Sequence, residues 1–292
     1  VGVDLVDTLH GVTPLGGDAL FQPDEPIRGD EFEVLALTRH ELDITNHDSV
    51  VRALELTRPD VIVHLAAYTQ VDRAETEPEL CFAVNTTATG TLSQTANTVG
   101  AHFISISSDY VFDGEKGDAY VEDDTTNPLS VYGASKRDGE LVCSEHDTVV
   151  RASWVMGVRG KNVLHVIAER AKNGQSVRFV NDQMGTVTLA SDLARALATL
   201  VRDTPGGLWH VANKEPATWF EVANFAGTVL GRGESFATPI TTDELEPQPL
   251  ATRPRRSDLD TTKWTNKYRA LPDWHEGVVR LLEGRNHLAS AS

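Results

Sequence analysis

Cysteine is almost absent from this sequence: Cys81 and Cys143 are the only two, and they do not form a C-x-x-C pair. That scarcity excludes a disulfide framework and a thiolate zinc site, and both residues read as small apolar side chains of a reducing compartment. Long apolar runs are missing as well. No run of about eighteen apolar residues occurs, so no membrane-spanning helix is expected. No succession of basic, apolar and small residues opens the chain as a secretory signal would. Basic residues are in deficit: 26 Lys and Arg stand against 43 Asp and Glu, a formal charge of −17. The acids are spread along the chain, and such a surface repels nucleic acid and anionic membranes. Self-repulsion of this size is tolerable where salt screens it, since the Debye length falls to about 3 Å near 1 M. A halophilic cytoplasm is therefore the preferred setting, with an ordinary acidic protein as the alternative. No metal-ligand cluster stands out, and none is assigned.

What is present is alternation. Short apolar runs at 33–37, 60–65, 102–107 and 148–151 read as strands, and between them 48–57, 79–99 and 131–143 carry helical patterns. This is the succession of βα units around a parallel sheet. Beyond Arg151, helical stretches at 162–173, 191–202 and 219–230 are separated by Gly- and Pro-containing loops, and 239–254 is loop-like. The expected fold is α/β, a Rossmann-type doubly wound parallel sheet over residues 1–154. A smaller, mainly substrate-binding part over 155–292 follows, some of whose segments return to the sheet.

Val131-Tyr132-Gly133-Ala134-Ser135-Lys136 sets Tyr132 and Lys136 four apart on an expected helix, hence on one face. A phenol of pKa near 10 is a poor acid–base group at neutral pH, and a neighbouring ammonium is expected to lower that pKa. The pair follows Ser107-Ser108-Asp109-Tyr110-Val111-Phe112-Asp113-Gly114, which closes a buried-looking strand. Ligands of open parallel sheets bind outside the carboxyl ends of the strands, which places Ser108 beside a reacting carbonyl.

Taken together, several segments resemble the dTDP-4-dehydrorhamnose reductases. They are Ala66-Ala67-Tyr68-Thr69-Gln70-Val71-Asp72-Arg73-Ala74-Glu75, the run from Ser108 to Gly114, Tyr132 with Lys136, and Arg151-Ala152-Ser153-Trp154-Val155. Asp182-Gln183-Met184-Gly185-Thr186-Val187-Thr188 and Arg253-Pro254-Arg255-Arg256-Ser257-Asp258-Leu259-Asp260 fit as well, so the likeness runs from about residue 33 to about 280. The resemblance implies an extended short-chain dehydrogenase fold and reduction of the C4 ketone of a nucleotide-linked 6-deoxyhexulose. It assigns the catalytic triad to Ser108, Tyr132 and Lys136, with Ser where relatives usually carry Thr. It also implies that Asp109, Tyr110 and Trp154 line the sugar site, that Ala66, Ala67 and Thr69 face the cofactor, and that Arg255 or Arg256 meets the substrate diphosphate. Packing roles for Tyr68 and Trp154 and a loop ion pair for the arginines are the plainer readings.

The cofactor loop departs from the pattern. Rossmann domains need glycines after the first strand so that backbone can approach the pyrophosphate. The best match is Gly11-Val12-Thr13-Pro14-Leu15-Gly16-Gly17, where Pro14 has no N–H to offer. The expected strand before it, 3–9, carries Asp4 and Asp7 where a central strand is uniformly apolar. Gly11 and Gly17 remain the candidate phosphate contacts, and Asp43 lies near the adenosine. After the second strand, Arg39 stands where an acid would hold a free ribose 2′-hydroxyl, so NADPH is favoured over NADH. Two alternatives stay open: a sugar-nucleotide epimerase or dehydratase with NAD, and a non-catalytic regulatory paralogue. Ser108 is followed by Asp109-Tyr110 rather than the Asp-Glu pair of dehydratases, which favours simple reduction. A homodimer is compatible with the sequence, which does not determine it.

Overall fold

The computed structural model describes the backbone of residues 1–12, 27–233 and 236–291, with side chains through residue 284. Four strands form its central sheet: β1 (Val61–His64), β2 (His102–Ser108), β3 (Thr148–Ala152) and, later in the chain, β8 (Gly207–His210). They run in the order β1-β2-β3-β8 and all pair in parallel. β2 and β3 are central, and their burial is nearly continuous even where the residues are Ser, Thr or Arg.

Between β1 and β2 the chain is helical: α3 (Val71–Ala74), α4 (Pro78–Phe82), one π-helical turn (Ala83–Thr87) and α5 (Ala88–Val99). The helix expected over 79–99 is thus continuous but loosened in the middle. Gly100 ends it at φ 81°, a left-handed conformation that glycine adopts without steric cost. α2 (His47–Thr57) packs on α5, and α6 (Val131–Leu141) joins β2 to β3. Its capping follows from its sequence: Ser130 Oγ accepts the Gly133 N–H at 3.1 Å, and Glu75 Oε1 accepts that of Val131 at 2.9 Å.

Beyond β3 lie β4 (Val155–Met156), α7 (Val163–Lys172), β5 (Val177–Val180), β6 (Met184–Thr186) and β7 (Thr188–Leu189). α8 (Ala190–Asp203) and β8 then return to the sheet. β9 (Pro216–Thr218), α9 (Trp219–Val229), β10 (Ala237–Ile240), α10 (Thr262–Lys267) and α11 (Trp274–Ala291) follow. Two cores result. One lies beneath the sheet and includes Ile104, Val150, Leu193, Leu197 and Trp209; the other joins α7, α9 and α11 through Leu164, Ile167, Val222 and Val278.

Two expectations fail at the start of the chain. Residues 3–9 form no strand; α1 (Gly2–Leu9) is a helix packed on α8. Its buried residues Leu5, Thr8 and Leu9 recur at helical spacing, a stripe that lies on one face only if the chain coils. Residues 33–37 form no strand either. With α1 coiled, no neighbouring ladder reaches them, and a strand without a partner has nowhere to place its N–H and C=O groups except water. Val34 still packs on the core, while Leu35 and Leu37 face solvent.

Candidate active site

Three chain crossings at the carboxyl ends of the sheet assemble the site. After β1 the chain leaves through Ala66, Ala67, Thr69 and Gln70, all exposed, with Tyr68 buried between them. Asn85 holds this loop: its amide oxygen accepts the Tyr68 N–H at 2.8 Å and its amide nitrogen donates to the Tyr68 carbonyl at 3.0 Å. The same nitrogen donates to Ser135 Oγ at 2.9 Å, tying the loop to the helix that carries Tyr132 and Lys136. Asn85 sits in the π-helical turn, and π-bulges are frequent at functional sites. Nothing in the local sequence announced it, because an Asn within a helical run reads as solvent-facing.

Tyr132 and Lys136 occupy the first turns of α6. Two glycines let that helix approach so closely: a Cβ at Gly133 would collide with the Tyr110 carbonyl, and one at Gly139 with the Asn85 carbonyl. Ser108 closes β2, and its hydroxyl lies near enough to the Tyr132 phenol to lower its pKa. The Tyr110 ring meets the Tyr132 ring edge-on at 6.0 Å. The structure therefore brings Ser108, Tyr110 and Tyr132 together, with Lys136 one turn further along α6.

The electrostatics differ from the expected ones. Tyr132 is pushed up to about 12, first by burial and then by the charges of Asp109 and Cys81, with only the Ser108 hydroxyl pulling it down. Lys136 is not among the groups that set it; burial of the phenol outweighs any help from the ammonium. The phenol is thus held in its protonated, donating form. Lys136 itself is lowered to about 8 by burial, against the raising influence of Glu140. Glu140 does not pair with it, because Arg151 takes both its carboxylate oxygens at 2.9 and 2.7 Å and Ser107 donates to it as well. Among the described residues the Lys136 ammonium has no hydrogen bond or ion pair. Beside it, His64 is kept neutral with a pKa near about 3, by burial and by that ammonium.

The other expected residues fall in varied places. Asp109 is buried between Ser257 and Ser108, accepting their hydroxyls at 2.6 and 3.1 Å, and burial raises it to about 6. It pins a loop rather than presenting an open carboxylate. Trp154 adopts φ 43° after β3 and stacks on Trp219 at 3.9 Å, half-buried, with Gly185 against its other side. Arg256 is engaged by its own surroundings, with Asp258 at 2.8 Å and the Gly117 carbonyl at 2.5 Å, so a diphosphate role for it is not favoured. Arg255 is exposed. Arg39 lies exposed in a turn, and Asp43 accepts the N–H and hydroxyl of Thr45 at 3.0 and 2.7 Å, ahead of α2. Gly11 follows a helix, not a strand, and its N–H already donates to the Thr8 carbonyl at 2.9 Å. That donor is consequently not free for a phosphate. Pro14, Gly16 and Gly17 lie outside the described residues.

A parallel sheet with Ser, Tyr and Lys gathered at its strand ends has the architecture of the extended short-chain dehydrogenases. A family model described as the RmlD substrate binding domain matches residues 22–286, and the chain belongs to that family. It is 37% identical over 257 residues to the dTDP-4-dehydrorhamnose reductase of Escherichia coli (strain K12), covering 82% of this chain and 84% of that protein. The Streptomyces griseus enzyme of the same name is 39% identical over 240 residues, covering 79% and 78%. Among solved structures, a Clostridium acetobutylicum dTDP-4-dehydrorhamnose reductase superimposes with a TM-score of 0.83 at 30% identity, covering 87% of this chain and 91% of that one. The Bacillus anthracis enzyme, solved in complex with NADP, gives 0.80 at 30% identity over 88% and 92%. Among the described residues no helix is long and apolar enough to cross a membrane.

Proposed function

We propose that this chain reduces the C4 ketone of a nucleotide-linked 6-deoxy-4-keto-hexose, with NADPH as the reductant, as its dTDP-4-dehydrorhamnose reductase relatives do by name. The observation that carries this is the meeting of Ser108, Tyr132 and an unpaired, buried Lys136 at the strand ends of a chain of that family. The epimerase and dehydratase alternatives are disfavoured: solved structures bearing those names are 22% and 20% identical, a likeness of fold alone.

The residues fit the cofactor on the nicotinamide side. The Lys136 side chain is largely buried and has no protein partner among the described residues, yet its ammonium is not closed off, so ribose hydroxyls can complete it. When bound, NADPH supplies the hydride for the sugar C4. The chain supplies the rest: Tyr132 donates its hydroxyl proton to the carbonyl oxygen, Ser108 orients that oxygen, and Lys136 orients the ribose. Ala66, Ala67 and Thr69 leave room beside the sheet edge, Arg39 takes the 2′-phosphate, and Arg255 the substrate diphosphate. Residues 1–154 serve mainly the cofactor and 155–292 mainly the sugar, with α8 and β8 returning to the first part.

The test is turnover. Purified protein given the 4-keto sugar nucleotide is expected to oxidise NADPH with a higher kcat/KM than NADH; oxidation of neither would leave the non-catalytic reading standing.

The setting proposed is a reducing, high-salt cytoplasm. The charge of −17 implies self-repulsion that counterions relieve. The melting temperature is therefore expected to rise from low to molar potassium chloride, and a flat or falling trend would remove the halophilic reading.

A further inference from the structure

The sugar-side loop over 250–257 is tied by backbone bonds between Met184 and both Arg255 and Ser257 and by Arg256 on the Gly117 carbonyl, and two side-chain anchors join it to the catalytic side and to the cofactor side. The first is the Ser257 hydroxyl on Asp109 at 2.6 Å. The second lies across the molecule on α3, which directly continues the Ala66–Gln70 loop. There Asp72 receives the Arg253 guanidinium through two nitrogens, at 3.0 and 2.6 Å, and the Ala251 N–H at 3.1 Å. Arg253 turns back on its own loop as well, donating to the Ala251 carbonyl at 2.9 Å. It also lies near enough to the hydroxyl of Tyr110 to act on it electrostatically, and the Tyr110 ring stands edge-on to that of Tyr132. One planar fork therefore joins the cofactor-side segment, the sugar-side loop and the wall beside the proton donor.

An exposed ion pair holds little, but this one is different in kind. The Arg253 side chain is only 20% exposed, and Asp72 accepts three donors. A bidentate, partly buried pair fixes orientation as well as distance. We propose that the Asp72–Arg253 pair is a clasp that holds the 250–257 loop and Tyr110 in register with Tyr132, making Arg253 a positioning residue for the reduction. This rests on the reductase reading above and adds to it two residues, 181 positions apart, that lie outside the catalytic triad.

Asp72 is half-exposed and, among the described residues, contacts neither Tyr132 nor Lys136, so Asp72→Asn tests the clasp without touching the chemistry. Asp72→Asn is expected to lower kcat/KM for the nucleotide sugar about 10- to 100-fold, the size of effect that misplacement by about an ångström produces. NADPH affinity, read by nicotinamide fluorescence, stays within about two-fold, and Asp72→Glu recovers part of the rate. Arg253→Lys remains impaired, because a single ammonium cannot serve Asp72 and Tyr110 together. The double variant Asp72→Asn with Arg253→Met is no worse than Arg253→Met alone. An unchanged kcat/KM in Asp72→Asn, or fully additive losses in the double variant, overturns the clasp. If the native protein does not turn over the 4-keto sugar, the reductase reading fails, and amide hydrogen exchange decides the clasp separately. Exchange over 250–257 should quicken in Asp72→Asn; exchange as slow as in the native protein overturns it.

Discussion

Replacing Tyr132 by phenylalanine is expected to lower kcat by about 100- to 10,000-fold, the range that general acid catalysis contributes. NADPH affinity should stay within a few fold. The ring keeps its place beside Tyr110, at the same edge-on contact of 6.0 Å, and loses only the hydroxyl near Ser108. Burial already disfavours the ionised phenol, so phenylalanine suits the pocket at least as well and the fold should not suffer. The loss is then chemical: no group in reach replaces the proton donor, since Asp109 is engaged by Ser257 and Ser108. Steady-state kinetics with saturating NADPH separates kcat from KM. A variant keeping more than half the native kcat would remove Tyr132 from the mechanism.

The second large effect combines a loss of activity with a gain in stability. Lys136→Met should reduce kcat/KM at least about 100-fold, because the contact that orients the nicotinamide ribose is lost. Yet the same change should stabilise the folded protein at neutral pH by roughly 1–3 kcal/mol, since a buried ammonium without a partner is replaced by an apolar chain of similar length. The pH dependence follows from the direction of the shift. Burial lowers Lys136 from its ordinary 10.5 to about 8, so between those values the unfolded chain binds more protons than the folded protein. Native stability therefore rises with pH across that window, and below about 8 the full cost of the buried charge is present. The advantage of Lys136→Met should shrink from neutral pH to about 10 as the native lysine loses its proton. Urea unfolding of both proteins at the two pH values measures this. A native protein more stable than the variant at neutral pH would mean that the ammonium is already compensated.

The placement of Arg151 explains why Glu140 does not compensate Lys136. Glu140 lies one turn beyond Lys136 on α6 and would be its natural partner. By engaging both oxygens of Glu140, Arg151 leaves Lys136 available to a ligand. The price is a destabilised ground state in a site that gains from binding its cofactor, a common trade between stability and function.

Much of this was legible in the sequence by itself. The alternation of apolar runs with helical patterns matches β1, β2, β3 and the helices α2 and α4 through α9, because periodicity is a local property that burial enforces residue by residue; the short α3 is not legible in it. Tyr132 and Lys136 were readable because four-residue spacing on a helix is geometry written directly in the chain. The departure of the first βα unit was visible in Asp4, Asp7 and Pro14, although its outcome, a helix on α8 with residues 33–37 left unpaired, was not. Strand formation needs a neighbour, and which neighbour is present is decided only when the chain has folded. The same holds for the site. Asn85, Ser257, Asp72 and Arg253 act through partners 17 to 181 positions away; the last three stand in segments that resemble the family, but which partner each meets is not written there, and nothing local marks Asn85. Electrostatics belonged wholly to the tertiary structure. A phenol expected to be lowered by its lysine is raised instead, because the desolvation of Tyr132 depends on what packs around it, and that is the sum of contacts no sequence window contains.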